Sequence, residues 1–161
     1  MGDHIETLQI DYDPIRISYS ELLDIYWKNH NPTRRPWSRQ YMSVIFYHNQ
    51  EQKNLAIETR DRESARLVSK IYTEIVPAEK FYLAEDYHQK YRLRQNRDIL
   101  GEFNAMYPNV NDLVNSTAAA RVNGYLGGHG SLLTLKKDLE KIGLSQESGQ
   151  KLIGFVKAYN N

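Results

Sequence analysis

No cysteine occurs among the 161 residues, so neither a disulfide nor a thiolate-held metal can tie this chain together, and its fold must rest on a packed apolar core. With 40% hydrophobic residues the chain is long enough to build one domain with such a core. Charged residues make up 25% and balance to +1, which leaves no broad basic field for nucleic acid or an anionic membrane. No apolar run approaches the roughly 20 residues that cross a bilayer. The opening Met1-Gly-Asp-His-Ile-Glu6 lacks the basic-then-apolar order of a secretory signal, so the cytosol is the expected compartment. Thiol catalysis is also excluded for these residues.

The pattern of apolar residues predicts strands alternating with helices. In Glu6 to Tyr12, the residues Leu8, Ile10 and Tyr12 alternate with Thr7, Gln9 and Asp11, the period-2 signature of a strand with one buried face, closed by Asp13-Pro14. Ser18 reads as a helix N-cap with Glu21 as its reciprocal partner, and Tyr19, Leu22, Leu23, Tyr26 and Trp27 form the apolar stripe that follows. Asn31-Pro32 ends that helix. Tyr41 to Tyr47 is apolar on both faces and reads as an interior strand. Residues 50–72 read as a charged outer helix with a break expected near Asp61, presenting Leu55, Ala65, Val68 and Tyr72 to the core. A β-prone patch follows at 72–76, and Phe81 to Tyr91 reads as a strand end turning into a helix. Beyond that the chain is helical in character. Leu113, Val114, Thr117, Ala118 and Arg121 are assigned to one helix, and Gly124 to Gly130 to a loop. Ser131 caps a helix that Gly143 terminates, and Ser145 caps another carrying Leu152, Ile153, Val156 and Tyr159. This order indicates an α/β or α+β sheet domain.

Few residues stand out as chemistry. Glu6 shares strand parity with Leu8, Ile10 and Tyr12, so its carboxyl is expected on the desolvated side, where the neutral, proton-donating acid is favoured. Glu85, Asp86 and His88 sit close enough in sequence to suggest a metal site or a carboxylate-histidine hydrogen-bond network. His4, His30, His48 and His129 share no helical spacing and are read as structural or exposed. Gly124, Gly127, Gly128 and Gly130 superficially resemble a phosphate loop, but no strand precedes them and no Lys-Ser/Thr follows.

Three stretches, Gln9-Ile-Asp-Tyr-Asp-Pro14, Arg39-Gln-Tyr-Met-Ser43 and Phe81-Tyr-Leu-Ala-Glu-Asp-Tyr-His-Gln-Lys90, resemble the A-type peptide methionine sulfoxide reductases. That family reduces the S-epimer of methionine sulfoxide with a cysteine carried on a Gly-Cys-Phe-Trp segment. The resemblance covers Gly2 to Tyr91 and then Asn123-Gly-Tyr-Leu-Gly-Gly128. It implies a ferredoxin-like α+β fold lacking its first third, with residues 1–92 as the sheet-containing core and 93–161 as a helical extension of one domain. It also implies roles: Glu6 as proton donor, Tyr41 as a second donor to the sulfoxide oxygen, Tyr125 near the substrate methyl group, and a bracing rather than metal-binding role for Glu85, Asp86 and His88. Oxidised protein or peptide methionine is the implied partner. No cofactor is implied; the family draws its electrons from thioredoxin or small thiols, which requires cysteines this chain lacks.

The sequence also departs from the family's pattern. Pro36 stands where many members carry an aspartate five residues before the pocket tyrosine, and Leu126 stands where many carry a recycling cysteine. Without a nucleophile, the cycle of thiolate attack, sulfenic acid and disulfide cannot run on these residues. Two readings follow: a reductase sequence without its nucleophilic segment, and a non-catalytic module that recognises methionine-containing partners.

Overall fold

Ser18 and Glu21 set the start of the first helix in the computed structural model, which describes residues 4–159. The Ser18 side chain accepts from the Glu21 amide at 3.2 Å, and the Glu21 carboxylate accepts from the Ser18 amide at 2.8 Å, a complete capping box that satisfies two otherwise orphaned donors. Helix α1, Tyr19–Lys28, buries Leu23 and Trp27 along one stripe, as the spacing predicts. Met1, Gly2 and Asp3 of the family-like opening run, and Asn160 and Asn161, lie outside the described residues.

The chain divides into two compact units, Met1–Phe81 and Tyr82–Asn161, each with its own core. In the first, β1 (Val44–Tyr47) and β2 (Glu74–Pro77) pair in parallel with Val44 opposite Glu74 and Ile45 opposite Ile75. Parallel neighbours require a crossover, and helix α2 (Gln50–Leu67) supplies it. Leu23 and Trp27 of α1, Ile45 of β1 and Ala56 of α2 form the core, with Tyr19, Tyr26, Leu55, Ile71 and Ile75 around it. His30 ties the layers together: Nδ1 lies 2.8 Å from the Tyr26 carbonyl and Nε2 3.1 Å from the Thr73 hydroxyl. Among the described residues no helix is long and apolar enough to cross a membrane.

Several expectations for this unit are corrected. Residues 4–13 form no strand; Leu8 is 81% exposed and Ile10 also faces solvent. Alternation gives a strand a face, but the backbone still needs a partner, and the sheet among the described residues is the β1-β2 pair alone. Asp13 does turn the chain, accepting from the Ile15 amide at 3.0 Å. Helix α2 runs unbroken through Asp61 and buries Ala56, Thr59 and Glu63 rather than Ala65 and Val68. Val68 instead terminates it in the left-handed region at φ 47° and is 91% exposed, an uncommon conformation for a β-branched residue. Residues 81–85 carry no regular structure and 86–90 form turns, so the strand expected from Phe81 is absent.

The second unit is helical: α3 (Tyr91–Arg94), α4 (Arg97–Met106), α5 (Val110–Asn115), α6 (Thr117–Leu126), α7 (Leu132–Ile142) and α8 (Gln146–Tyr159). Leu93, Ile99, Phe103, Leu113, Val122, Leu135, Leu152 and Val156 fill its core. The single helix expected over Leu113 to Arg121 is two, because Ser116 is extended and caps α6 by accepting from the Ala119 amide at 3.1 Å. Gly124 to Leu126 belong to α6, so the glycine loop starts only at Gly127. The predicted caps at Ser131 and Ser145 are present, and Gly143 takes the left-handed φ of 82° that ends α7. Glu102 reaches the start of α8, accepting from the Ser145 hydroxyl at 2.6 Å, the Ser145 amide at 2.7 Å and the Ser148 hydroxyl at 2.5 Å. These bonds, led by the Ser145 hydroxyl, hold its carboxyl below the usual carboxylate range.

Tyr26 provides a test of the first unit. Burial pushes its hydroxyl up to about 12 from 10.0, against the lowering effect of hydrogen bonds with Thr73, Ser43 and the Val44 carbonyl. The unfolded state therefore releases this proton first, so its contribution is intact below about pH 10 and declines as pH rises toward 12. The decline amounts to on the order of 2 kcal/mol. Tyr26→Phe keeps the ring and removes the titrating group. In urea unfolding followed across pH 9 to 12, the variant is expected to lose less stability than the wild-type chain; parallel declines would show that Tyr26 is not the group responsible.

Candidate functional site

The segment that carries Glu6 is held to the loop that carries Tyr41 by two hydrogen bonds. The Glu6 amide donates to the Gln40 carbonyl at 3.0 Å, and the Gln40 side-chain amide donates to the Glu6 carboxylate at 2.9 Å. Glu6 is therefore ordered although it lies in no strand. Its carboxylate is exposed, so the desolvation expected from strand parity is absent. One oxygen accepts from Gln40, and an exposed carboxylate retains further acceptor capacity.

Residues 33–41 form the loop itself. It is tied at its start, where the Tyr72 amide donates to the Pro32 carbonyl at 2.8 Å and Asn31 Oδ1 accepts from the Thr33 amide at 3.1 Å. It ends in a turn in which the Met42 amide donates to the Arg39 carbonyl at 3.3 Å. Tyr41 is half exposed and stacks on Trp37, ring centroids 4.9 Å apart and planes at 27°. Trp37 is 73% exposed and was not singled out by sequence reasoning. The signal available was an aromatic four residues from Tyr41 in a turn-rich loop. Pro36, at the departure from the family's aspartate, lies in the same loop. The structure thus brings Glu6, Gln40, Tyr41 and Trp37 together in the first unit.

Tyr125 belongs to the second unit and is placed differently. Its ring is only 5% exposed, and its hydroxyl donates to Asp138 Oδ2 at 2.8 Å; Asp138 is also paired with Arg121. Burial first, and then the Asp138 carboxylate, raise the tyrosine above its ordinary range against the lowering effect of Thr134 and Arg121. A Cβ on Gly130, where φ is +92°, would stand 2.6 Å from the Tyr125 ring, so glycine is required for the loop to pass over it. Asn123 has a structural task as well: its Oδ1 accepts from the amides of Arg92 and Leu93 at 2.9 and 3.2 Å, satisfying the start of α3. Both side chains of the Asn123-Gly-Tyr125 stretch are therefore engaged inside this unit.

Glu85, Asp86 and His88 lie on an exposed turn. His88 Nε2 is 3.9 Å from the Glu85 carboxylate, and the turn closes through the His88 amide to the Glu85 carbonyl at 2.9 Å and the Gln89 amide to the Asp86 carbonyl at 3.1 Å. The pair is solvent-screened, so it does not form the buried bracing network the motif suggests. Among the described residues no group of three His, Asp or Glu side chains is placed to hold a metal.

A peptide methionine sulfoxide reductase family profile matches residues 1–122, and the chain belongs to that family. It is 44% identical over 152 residues to a peptide methionine sulfoxide reductase of Drosophila melanogaster, covering 93% of this chain and 61% of that protein. It is 46% identical over 95 residues to peptide methionine sulfoxide reductase MsrA of Methanosarcina acetivorans, covering 55% of this chain and 50% of that one. Against peptide methionine sulfoxide reductase A2 of Arabidopsis thaliana the identity is 42% over 97 residues, covering 57% and 44%. The chain thus spans about half the length of these relatives, and mixes helices with a small parallel sheet.

If Tyr125 is a packing residue, Tyr125→Phe should lower stability by about 1 kcal/mol, the cost of a lost hydrogen bond that leaves Asp138 still paired with Arg121. It should leave sulfoxide binding unchanged. Denaturant unfolding and ligand titration on the same variant separate the two effects, and weaker binding at unchanged stability would return Tyr125 to the site.

Proposed function

We propose that this chain carries the oxygen-recognising side of a peptide methionine sulfoxide reductase site. Glu6 and Tyr41 address the sulfoxide oxygen as hydrogen-bonding and proton-donating groups, and the Tyr41-Trp37 stack faces the S-methyl group. The pairing of Glu6 with Gln40, the neighbour of Tyr41, is the observation that carries this reading, because it ties the Glu6 segment to the loop that carries Tyr41. A substrate lying on that patch excludes water from the carboxyl, the condition under which a carboxylic acid donates a proton efficiently. The aromatic faces suit a soft, polarisable S-methyl group.

The residues present supply no thiol. Attack on sulfur and later recycling by thioredoxin or a small thiol need cysteines outside these 161 residues. The ferredoxin-like sheet and a cytosolic location belong to the same proposal. One observation favours a second reading, a non-catalytic module that binds methionine sulfoxide in proteins: the site patch is ordered on a unit with its own core and no nucleophile.

Binding and chemistry can be tested separately. Nuclear magnetic resonance titration with the S-sulfoxide of N-acetylmethionine amide is expected to shift Glu6, Gln40 and Tyr41 signals, more strongly than the R-epimer. Glu6→Gln and Tyr41→Phe should each weaken binding by about fivefold, one hydrogen bond's worth. Joining an upstream strand-helix segment with Gly-Cys-Phe-Trp should then give single-turnover reduction that falls with Glu6→Ala, while the chain itself reduces no sulfoxide with dithiothreitol. No shifts in the patch, or equal bursts from the fusion and its Glu6→Ala form, would refute the assignment.

A further inference from the structure

The loop that presents Tyr41 and Trp37 is also one-sided in charge. Between Thr33 and Tyr41 stand Arg34, Arg35 and Arg39 and no acidic residue, in a chain whose net charge is only +1. All three arginines are exposed. Four other arginines find a carboxylate: Arg60 with Asp61, Arg62 with Asp24, Arg66 with Glu63, Arg121 with Asp138. Among the described residues no ion pair involves the loop's three.

Fixed placement makes the charge useful. The loop is tied at one end to Tyr72 through Pro32 and at the other to Glu6 through Gln40, so its guanidinium groups are attached within a few residues of the sulfoxide-binding patch. Trp37, exposed and stacked on Tyr41, continues the patch toward them. An extended chain rises about 3.3 Å per residue. A methionine sulfoxide seated at Glu6 and Tyr41 therefore leaves its sequence neighbours within reach of the arginine side chains. Guanidinium groups recognise carboxylates in paired, bidentate geometry.

We propose that loop 33–41 selects the polypeptide context of the substrate, binding methionine sulfoxide flanked by aspartate or glutamate through Arg34, Arg35 and Arg39, with Trp37 packing against the peptide beside the oxidised residue. This rests on the sulfoxide-site reading above and adds to it a sequence preference. The arginines act on affinity and encounter; they take no part in proton transfer.

The experiment measures binding of the chain as it stands, by calorimetry, to four heptapeptides. Three have a central methionine S-sulfoxide flanked by glutamate, glutamine or lysine, and the fourth is the glutamate peptide with unoxidised methionine. At low ionic strength the glutamate sulfoxide peptide is expected to bind about tenfold more tightly than the lysine one, a preference that shrinks as salt approaches about 0.2 M. Arg34→Gln, Arg35→Gln and Arg39→Gln together should abolish that preference and leave the glutamine peptide unaffected, with circular dichroism confirming the fold. Trp37→Ala should weaken all three sulfoxide peptides alike.

Equal binding of the glutamate and lysine sulfoxide peptides would overturn the context preference and leave the sulfoxide site standing. Equal binding of the oxidised and unoxidised glutamate peptides would remove the sulfoxide site and keep only an acidic-peptide loop. Tighter binding of a single-stranded oligonucleotide than of the glutamate peptide would overturn the peptide assignment. No binding of any peptide would overturn both.

Discussion

Two hydrogen bonds between Glu6 and Gln40 give the candidate site its geometry. Residues 4–13 have no sheet to join, and their apolar side chains at Leu8 and Ile10 face water. Burial therefore does not hold this segment down. The backbone bond from the Glu6 amide fixes where the segment crosses the loop, and the side-chain bond from Gln40 orients the carboxylate. Neither bond is strong alone, since an exposed hydrogen bond competes with water. Acting from the same residue pair, they restrict both position and rotamer. Tyr41 follows Gln40 directly, so fixing Gln40 also fixes where the phenol emerges.

The parts legible in sequence are those whose causes are local. Ser18 with Glu21, Ser131, Ser145 and Gly143 mark helix ends correctly because capping is decided within three or four residues. Trp27 and Leu23 are buried as their spacing requires. The strand read at Glu6 to Tyr12 fails because strand formation depends on a partner that local alternation cannot reveal. Helix α2 shows a different failure. Its buried positions include Thr59, which bonds the Ala56 carbonyl at 3.1 Å, and Glu63, paired with Arg66 at 2.7 Å; a reading that searches for apolar residues passes over both.

The site was legible in part. Family-like spacing selected Glu6 and Tyr41, and the structure places them on adjoining segments, but parity gave the wrong environment for Glu6. Trp37 went unnoticed because an isolated aromatic in a loop carries no period. Its significance appears only once its ring is seen against Tyr41. The Glu85-Asp86-His88 run was legible as a motif and not as a structure, since whether such a run is buried depends on what packs over it.

The Asn123-Gly-Tyr125 stretch shows how a family-like motif can be accounted for without a ligand. Asn123 caps α3 through two backbone amides, and Tyr125 fills the core of the helical unit while its hydroxyl satisfies Asp138. Removing Asn123 would leave the Arg92 and Leu93 amides without this acceptor, and removing the Tyr125 hydroxyl would cost one hydrogen bond while Asp138 stays paired with Arg121. Packing alone therefore gives both residue types a reason to be where they are. Glu6 and Tyr41 are engaged only through the Gln40 bonds and the Trp37 stack. A half-exposed tyrosine and an exposed carboxylate stabilise little, and an indole left 73% in water stabilises less than a buried one. Side chains ordered in this way, with little folding benefit to explain them, are better accounted for by what they bind. That contrast supports the proposed assignment of the chemistry to the first unit, at Glu6, Tyr41 and Trp37 and the arginine-bearing loop beside them.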